Sequence, residues 1–183
     1  MRIIAGKYKG RKLEVPKTDL RPTLDRTKET LFNILHFCVA DKVVLDLFAG
    51  SGCLGLEALS RGAKKTVFVD SDRESARVIK LNCEKCRCGN EASVVNMPIE
   101  TALNSIKEKF DIVFVDPPYK EGAYFSVLKK LSINNLLTED AIVVCEHARE
   151  DSLPNNIDTL SKYRVKEMGK CGFSFYQNVG DEQ

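Results

Sequence analysis

Val43-Val-Leu-Asp-Leu-Phe-Ala-Gly-Ser-Gly-Cys-Leu-Gly55 is the stretch from which the fold is read. Apolar residues around Asp46 run into a small-residue turn, after which Leu54, Leu56 and Leu59 recur at helical spacing. The pattern is strand, tight turn, helix. Gly50 and Gly52 let the backbone turn sharply and leave no Cβ between it and a ligand. The turn is therefore expected to set a nucleotide-like group against main-chain N–H groups at a helix start.

The next strand narrows the ligand. Thr66-Val-Phe-Val-Asp70 is a short apolar run ending in a carboxylate twenty residues after Gly50. A nucleoside-binding α/β fold places the acceptor for ribose hydroxyls there, so Asp70 is the ribose candidate. No Gly-Lys-Ser/Thr closes the turn, which excludes a P-loop triphosphatase.

From Lys42 onward, strand-like and helix-like segments alternate at 42–47, 53–61, 65–70, 72–85, 92–96, 98–108, 110–116, 124–131 and 141–146. Such alternation implies a parallel sheet covered on both faces. Residues 161–168 and 172–178 read as an antiparallel hairpin added at the sheet edge. With 183 residues and 43% hydrophobic content, one domain is expected, with a basic hairpin and loop at 1–25 and a Rossmann-like core at 26–183.

The start of the chain has a different character. Residues 2–15 alternate around Gly6 and Gly10, which suggests a β-hairpin with a positive outer face; Pro16 to Asp25 reads as a surface loop. Thr27 to Phe37 has helical spacing, with Asp25 as its N-cap, and is expected to pack beside the first strand. The first thirty residues hold nine Lys/Arg against four Asp/Glu, leaving 19 against 22 for the rest. A basic segment on a slightly acidic body points to a polyanion, nucleic acid first, with Arg2, Arg11, Lys12, Arg21 and Arg26 as phosphate contacts.

Composition removes other classes. No apolar run is long enough to span a membrane, and the N-terminus turns polar too early for a signal peptide, so a cytoplasmic protein without a membrane partner is expected. Seven cysteines without an export signal read as reduced thiols. Cys83, Cys86 and Cys88 lack a second ligand pair, so no metal is expected, and His36 and His147 are assigned no chemistry.

The chemical motif follows the continuously apolar run Asp111-Ile-Val-Phe-Val115. Asp116-Pro-Pro-Tyr119 closes this central strand, at the end where an open parallel sheet binds ligands, and should face the Gly50 turn. Pro117 and Pro118 restrict the backbone, presenting the Asp116 carboxylate and the Pro117 carbonyl rigidly. Two acceptors holding the N–H bonds of an exocyclic purine amine favour its pyramidal, nucleophilic form, and Tyr119 can stack on the extruded base. Alone, the tetrapeptide also suits a rigid surface turn; its position after a buried strand, downstream of the Gly50 turn and Asp70, favours chemistry.

The turn at 46–52 together with Asp116-Pro-Pro-Tyr119 resembles the class I S-adenosylmethionine-dependent methyltransferases that modify exocyclic amino groups. Met1-Arg-Ile-Ile-Ala-Gly-Lys-Tyr-Lys-Gly-Arg-Lys-Leu13, Arg21-Pro-Thr-Leu-Asp-Arg26 and Leu31-Phe-Asn-Ile-Leu35 resemble more narrowly the RsmD family of small-subunit rRNA guanine-N2 methyltransferases. The resemblance implies a seven-stranded, mostly parallel Rossmann-like α/β fold and methyl transfer from S-adenosylmethionine to a guanine N2 of 16S rRNA, free or in a small-subunit particle. No obligate protein partner is implied. It further implies that Asp46, Ala49, Gly50 and Gly52 line the methionine and ribose side of the cofactor, that Asp70 takes the ribose hydroxyls, and that Ser71 lies near the adenine. Residues Asp116, Pro117, Pro118 and Tyr119 would hold the guanine. Asn96-Met-Pro-Ile99 stands where that family often has Asn-x-Asp-Ala, which leaves adenine recognition to backbone or Met97 packing. A DNA adenine-N6 methyltransferase and a non-catalytic RNA-binding assembly factor stand as the alternatives.

Overall fold

Beyond the first helix, α1 (Asp25–Ile34), the chain alternates strand and helix as its periodicity requires. The structure, a computed structural model, describes residues 1–17, 25–36, 38–117 and 123–180. Strands β1 (Val43–Leu47), β2 (Lys65–Asp70), β3 (Ala92–Asn96), β4 (Phe110–Val115) and β5 (Leu137–Ala148) pair in parallel. They are linked by α2 (Cys53–Ser60), α3 (Arg73–Cys86), α4 (Ile99–Ser105) and α5 (Ala123–Ile133). The chain then turns back through β6 (Asn156–Ile157), β7 (Leu160–Met168) and β8 (Cys171–Asn178), which pair antiparallel. The full order is β3-β2-β1-β4-β5-β8-β7-β6. The eighth strand, absent from the sequence reading, is the two-residue β6 at the far edge.

Strand order reverses between β1 and β4. Successive strands run outward from β1 to β3 on one side and from β4 to β5 on the other, so the crevice above the carboxyl ends of β1 and β4 is a topological switch point. Alternate residues of the buried strands feed two cores. Val44, Phe68, Phe114 and Phe173 pack with Leu31, Phe32, Leu56 and Ile79 on one face; Leu45, Val69, Val113 and Val143 pack with Leu103, Leu128 and Leu131 on the other. Among the described residues no helix is long and apolar enough to cross a membrane, and all seven cysteines are free thiols.

Residues 2–15 fold back as a short β-hairpin, with an antiparallel bridge between Arg2 and Lys12 and cross-strand bonds from Ile3 N to the Arg11 carbonyl at 3.0 Å, Gly10 N to the Ile3 carbonyl at 2.9 Å and Leu13 N to the Met1 carbonyl at 3.2 Å. The stretch between the paired ends turns inward onto α2. Ile4 N and Ala5 N donate to the Glu57 carboxylate at 2.8 and 3.0 Å, Lys7 N to the Ser60 carbonyl at 2.8 Å, and Tyr8 N to Ser60 Oγ at 2.9 Å. These bonds satisfy backbone donors between the paired ends that the short ladder does not use. Gly6 makes the approach possible, with φ +82 and a position where a Cβ would lie 1.8 Å from the Ser60 carbonyl oxygen. With this segment over its outer side, α2 is buried at every residue, including Glu57 and Ser60.

The fully buried Glu57 carboxylate is balanced by Arg61 Nε at 2.8 Å and by Lys28 Nζ at 3.5 Å, itself inaccessible in α1. This network joins the N-terminal segment, α1 and α2. Helix α1 also differs from expectation: it spans Asp25–Ile34, and Asp25 lies in its first turn, not at its N-cap. There the carboxylate favours the positive helix end and pairs with Arg2 at 3.3 Å. Phe32 meets Phe114 at 5.8 Å between ring centroids, which sets α1 over β4 as well as β1.

Candidate active site

Register and alternation bring four carboxyl groups to one face of the sheet at the switch point. Asp46 is level with Phe68 and Phe114, and Phe114 with Val144. Moving two residues along each neighbouring strand reaches Asp70, Asp116 and Glu146 on the same face. Asp46 is buried, while the other three are half-buried around it.

Their environments differ. Asp46 Oδ2 accepts the Gly55 amide at 2.9 Å, bolting the end of β1 to the first turn of α2. Burial, with smaller contributions from Asp116 and Asp70, pushes its carboxyl up to about 8 against the Gly55 hydrogen bond. Glu146 is likewise pushed up to about 8, first by burial and then by the charge of Asp116. Asp70 accepts Gly50 N through Oδ2 and Asp72 N through Oδ1, each at 2.8 Å. Its backbone carbonyl accepts Asn96 Nδ2 at 2.9 Å, which draws the ends of β2 and β3 together.

At the turn after β1, main-chain N–H groups expected to face a nucleotide-like group are turned to partners within the fold. Gly50 N is held by Asp70, Ala49 N by the Val69 carbonyl at 3.2 Å, and Gly52 N by the Ala49 carbonyl at 2.7 Å. These three N–H groups are engaged within the fold and are not presented to a phosphate. Gly52 is still required, with φ +75 and Ile79 and Phe68 atoms 3.3 Å from where a Cβ would stand. The acidic rim and the engaged amides favour a cationic ligand over a diphosphate.

The other expected residues fall as follows. Ala49 is buried within the turn, Ser71 is exposed after β2, and Met97 is half-buried against the second core at the start of α4. Pro117 is buried directly after Asp116; Pro118, Tyr119 and Arg21 lie outside the described residues. Of the basic set, Lys12 and Arg26 are exposed. Arg2 pairs with Asp25, and Arg11 donates to the Lys85 carbonyl while lying 5.2 Å from the Tyr8 ring centre, so both help to hold the N-terminal segment. Asn82, inaccessible in α3, joins that segment to the turn: it accepts Glu14 N at 2.8 Å and donates to the carbonyls of Glu14 and Ser51, each at 3.0 Å.

Sequence reasoning missed Glu146. The signal was available, because Val143-Val-Cys-Glu146 repeats the apolar-run-then-acid pattern of Asp70 and Asp116. It was obscured because β5 continues past the acid to Ala148. Among the described residues no group of three or more His, Cys, Asp or Glu could hold a metal ion.

Comparison with known proteins assigns the family. The model described as "Conserved hypothetical protein 95" matches residues 1–177. "Ribosomal RNA small subunit methyltransferase D" of Escherichia coli (strain K12) is 40% identical, across 97% of this chain and 89% of that protein. "Putative rRNA methyltransferase YlbH" of Bacillus subtilis (strain 168) is 38% identical, across 98% and 100%. The solved structure "Putative methyltransferase yhhF from Escherichia coli" superposes with a TM-score of 0.88 at 39% identity, covering 97% of each chain. The fold is that of the class I methyltransferases, and the chain belongs to the RsmD family, the conserved hypothetical protein 95 group.

Proposed function

We propose that this protein methylates small-subunit ribosomal RNA, transferring the methyl group of S-adenosylmethionine to the exocyclic N2 of a guanine in 16S rRNA. The observation that carries this reading is the position of Asp116, at the end of a central strand, directly across the switch point from the Asp46–Gly52 turn. Family membership supplies the substrate class.

S-adenosylmethionine supplies an electrophilic methyl group on a positively charged sulfur. The residues around the crevice suit such a ligand. Asp70, fixed by two backbone amides, faces it as the acceptor for ribose hydroxyls, since a carboxylate has about four acceptor positions. Asp46 acts through Gly55 to shape the turn. Ala49, Gly50 and Gly52 form the wall on the methionine side, and Ser71 and Met97 flank the adenine.

Asp116 and the Pro117 carbonyl accept the two N–H bonds of the target amine, aligning its lone pair; Pro118 and Tyr119 are assigned to hold the guanine from the sequence motif alone, an aromatic ring being the side chain that stacks on a base. The N-terminal segment, with Lys12, Arg21 and Arg26 and, more weakly, the partly engaged Arg2 and Arg11, grips RNA phosphates. It acts in the cytoplasm, on 16S rRNA or a small-subunit particle, as one domain that needs no obligate protein partner.

The test is transfer of labelled methyl into small-subunit particles lacking the modification, followed by nucleoside analysis. N2-methylguanosine is expected. N6-methyladenosine would replace this reading with the adenine one, and cofactor binding without transfer to RNA or DNA would replace it with a non-catalytic role in assembly.

A further inference from the structure

Glu146 stands beside the proposed target site without a role in it. Val115 and Cys145 are paired across β4 and β5, so Asp116 and Glu146 occupy the next level of neighbouring parallel strands. Strands of one sheet lie about 4.8 Å apart, a separation that lets two such side chains address adjacent atoms of one base edge. The Tyr124 hydroxyl donates to the Glu146 carbonyl at 2.7 Å and holds this part of β5 in place. Glu146 Oε2 is inaccessible to solvent and has no hydrogen-bond partner.

A buried acceptor without a donor is costly and uncommon in folded proteins, and a donor on a ligand would satisfy it. The ligand's own chemistry identifies the donor. Guanine carries three N–H bonds along one edge, two on N2 and one on N1. In the guanine-N2 reading, on which this inference rests, Asp116 and the Pro117 carbonyl take the pair on N2. The N1–H remains, adjacent in the ring, and Glu146 Oε2 is the buried acceptor beside Asp116.

We propose that Glu146 accepts the N1–H of the target guanine. That donor favours the ionised carboxylate, against the burial and the charge of Asp116 that favour its protonated form.

The experiment compares wild type, Glu146→Leu and Glu146→Gln in methyl transfer to small-subunit particles. S-adenosylmethionine affinity, by calorimetry, and Tm are measured alongside. Glu146→Leu is expected to lose about 100-fold in kcat/KM, mainly through KM for the particle, as loss of a contact made before the chemical step requires. Glu146→Gln, whose amide carbonyl still accepts, is expected to stay within about tenfold of wild type. Cofactor affinity is expected to stay within about twofold in both, and Tm to remain at or above that of wild type, because a buried carboxyl has been removed. Transfer by Glu146→Leu within about threefold of wild type, or equal losses in the two variants, would overturn the assignment while N2-methylguanosine from wild type left the guanine reading intact. Wild type yielding no N2-methylguanosine would remove both.

Discussion

The Asp70 carboxylate holds the amide of Gly50 at 2.8 Å, so the acid at the end of β2 shapes the turn that leaves β1. Its other oxygen holds Asp72 N at the same distance, and Asp72 in turn caps α3 through Glu74 N and Ser75 N. One side chain thus sets the turn and the start of a helix, beside the crevice in which the proposed function seats the ribose.

Asp70→Asn tests that coupling. An amide cannot accept both backbone N–H bonds with both of its heavy atoms, and one contact becomes donor against donor. Losing a charge-assisted bond of about 1.5–3 kcal/mol translates into S-adenosylmethionine affinity weaker by about 10- to 100-fold. Calorimetric titration measures it, and affinity equal to that of wild type would show that the turn holds its shape without Asp70.

Asp46 predicts a pH dependence of stability. Its carboxyl is pushed from the ordinary 3.8 up to about 8 in the folded protein, chiefly by burial. Between those values the folded state keeps a proton that the unfolded chain has released, so stability is greatest below the unfolded value and falls as pH rises toward about 8. The slope from one such group is at most about 1.4 kcal/mol per pH unit. Asp46→Asn retains an oxygen to accept Gly55 N and removes the titration. Urea denaturation at pH 5.5 and 7.5 is expected to show wild type losing more stability than the variant, and parallel losses would contradict this origin.

Glu57 predicts how the N-terminal segment is held. Its carboxylate meets Ile4 N, Ala5 N, Arg61 and Lys28, and both Glu57 and Lys28 are fully buried. Glu57→Ala leaves a buried ammonium facing a cavity, a cost of about 3–5 kcal/mol. The variant is expected to show that loss in denaturation and faster tryptic cleavage at Lys7 to Lys12. A loss below about 1 kcal/mol would mean that Lys28 finds another partner, such as the Arg2 carbonyl to which it already donates.

These elements also show what was legible beforehand. Strands β2 and β3 fall at 65–70 and 92–96 as read, because a short apolar run between turn residues carries its own boundaries. Strand β5 begins at Leu137, earlier than expected, since the polar Thr138, Glu139 and Asp140 hide a start marked by a shift in register against Phe110 and Ile112. Residues 2–15 alternate as a hairpin does and pair as one around Arg2 and Lys12, yet alternation does not reveal that Ile4, Ala5, Lys7 and Tyr8 donate to Glu57 and Ser60 of α2. At the site, the acids at strand ends could be read one by one. Which amides Asp46 and Asp70 would hold could not, because Gly55 and Gly50 become partners only once α2 is packed on β1 and β2.

The central claim is that Asp116 holds the amine that receives the methyl group. The direct measurement is the single-turnover rate of labelled methyl transfer into small-subunit particles by wild type and Asp116→Ala, each saturated with S-adenosylmethionine and with products identified as nucleosides. The account predicts N2-methylguanosine from wild type and a rate lower by about 100- to 1,000-fold in the variant, the range for removing one group aimed at developing charge, with cofactor affinity little changed. A variant that makes N2-methylguanosine at the wild-type rate would contradict it.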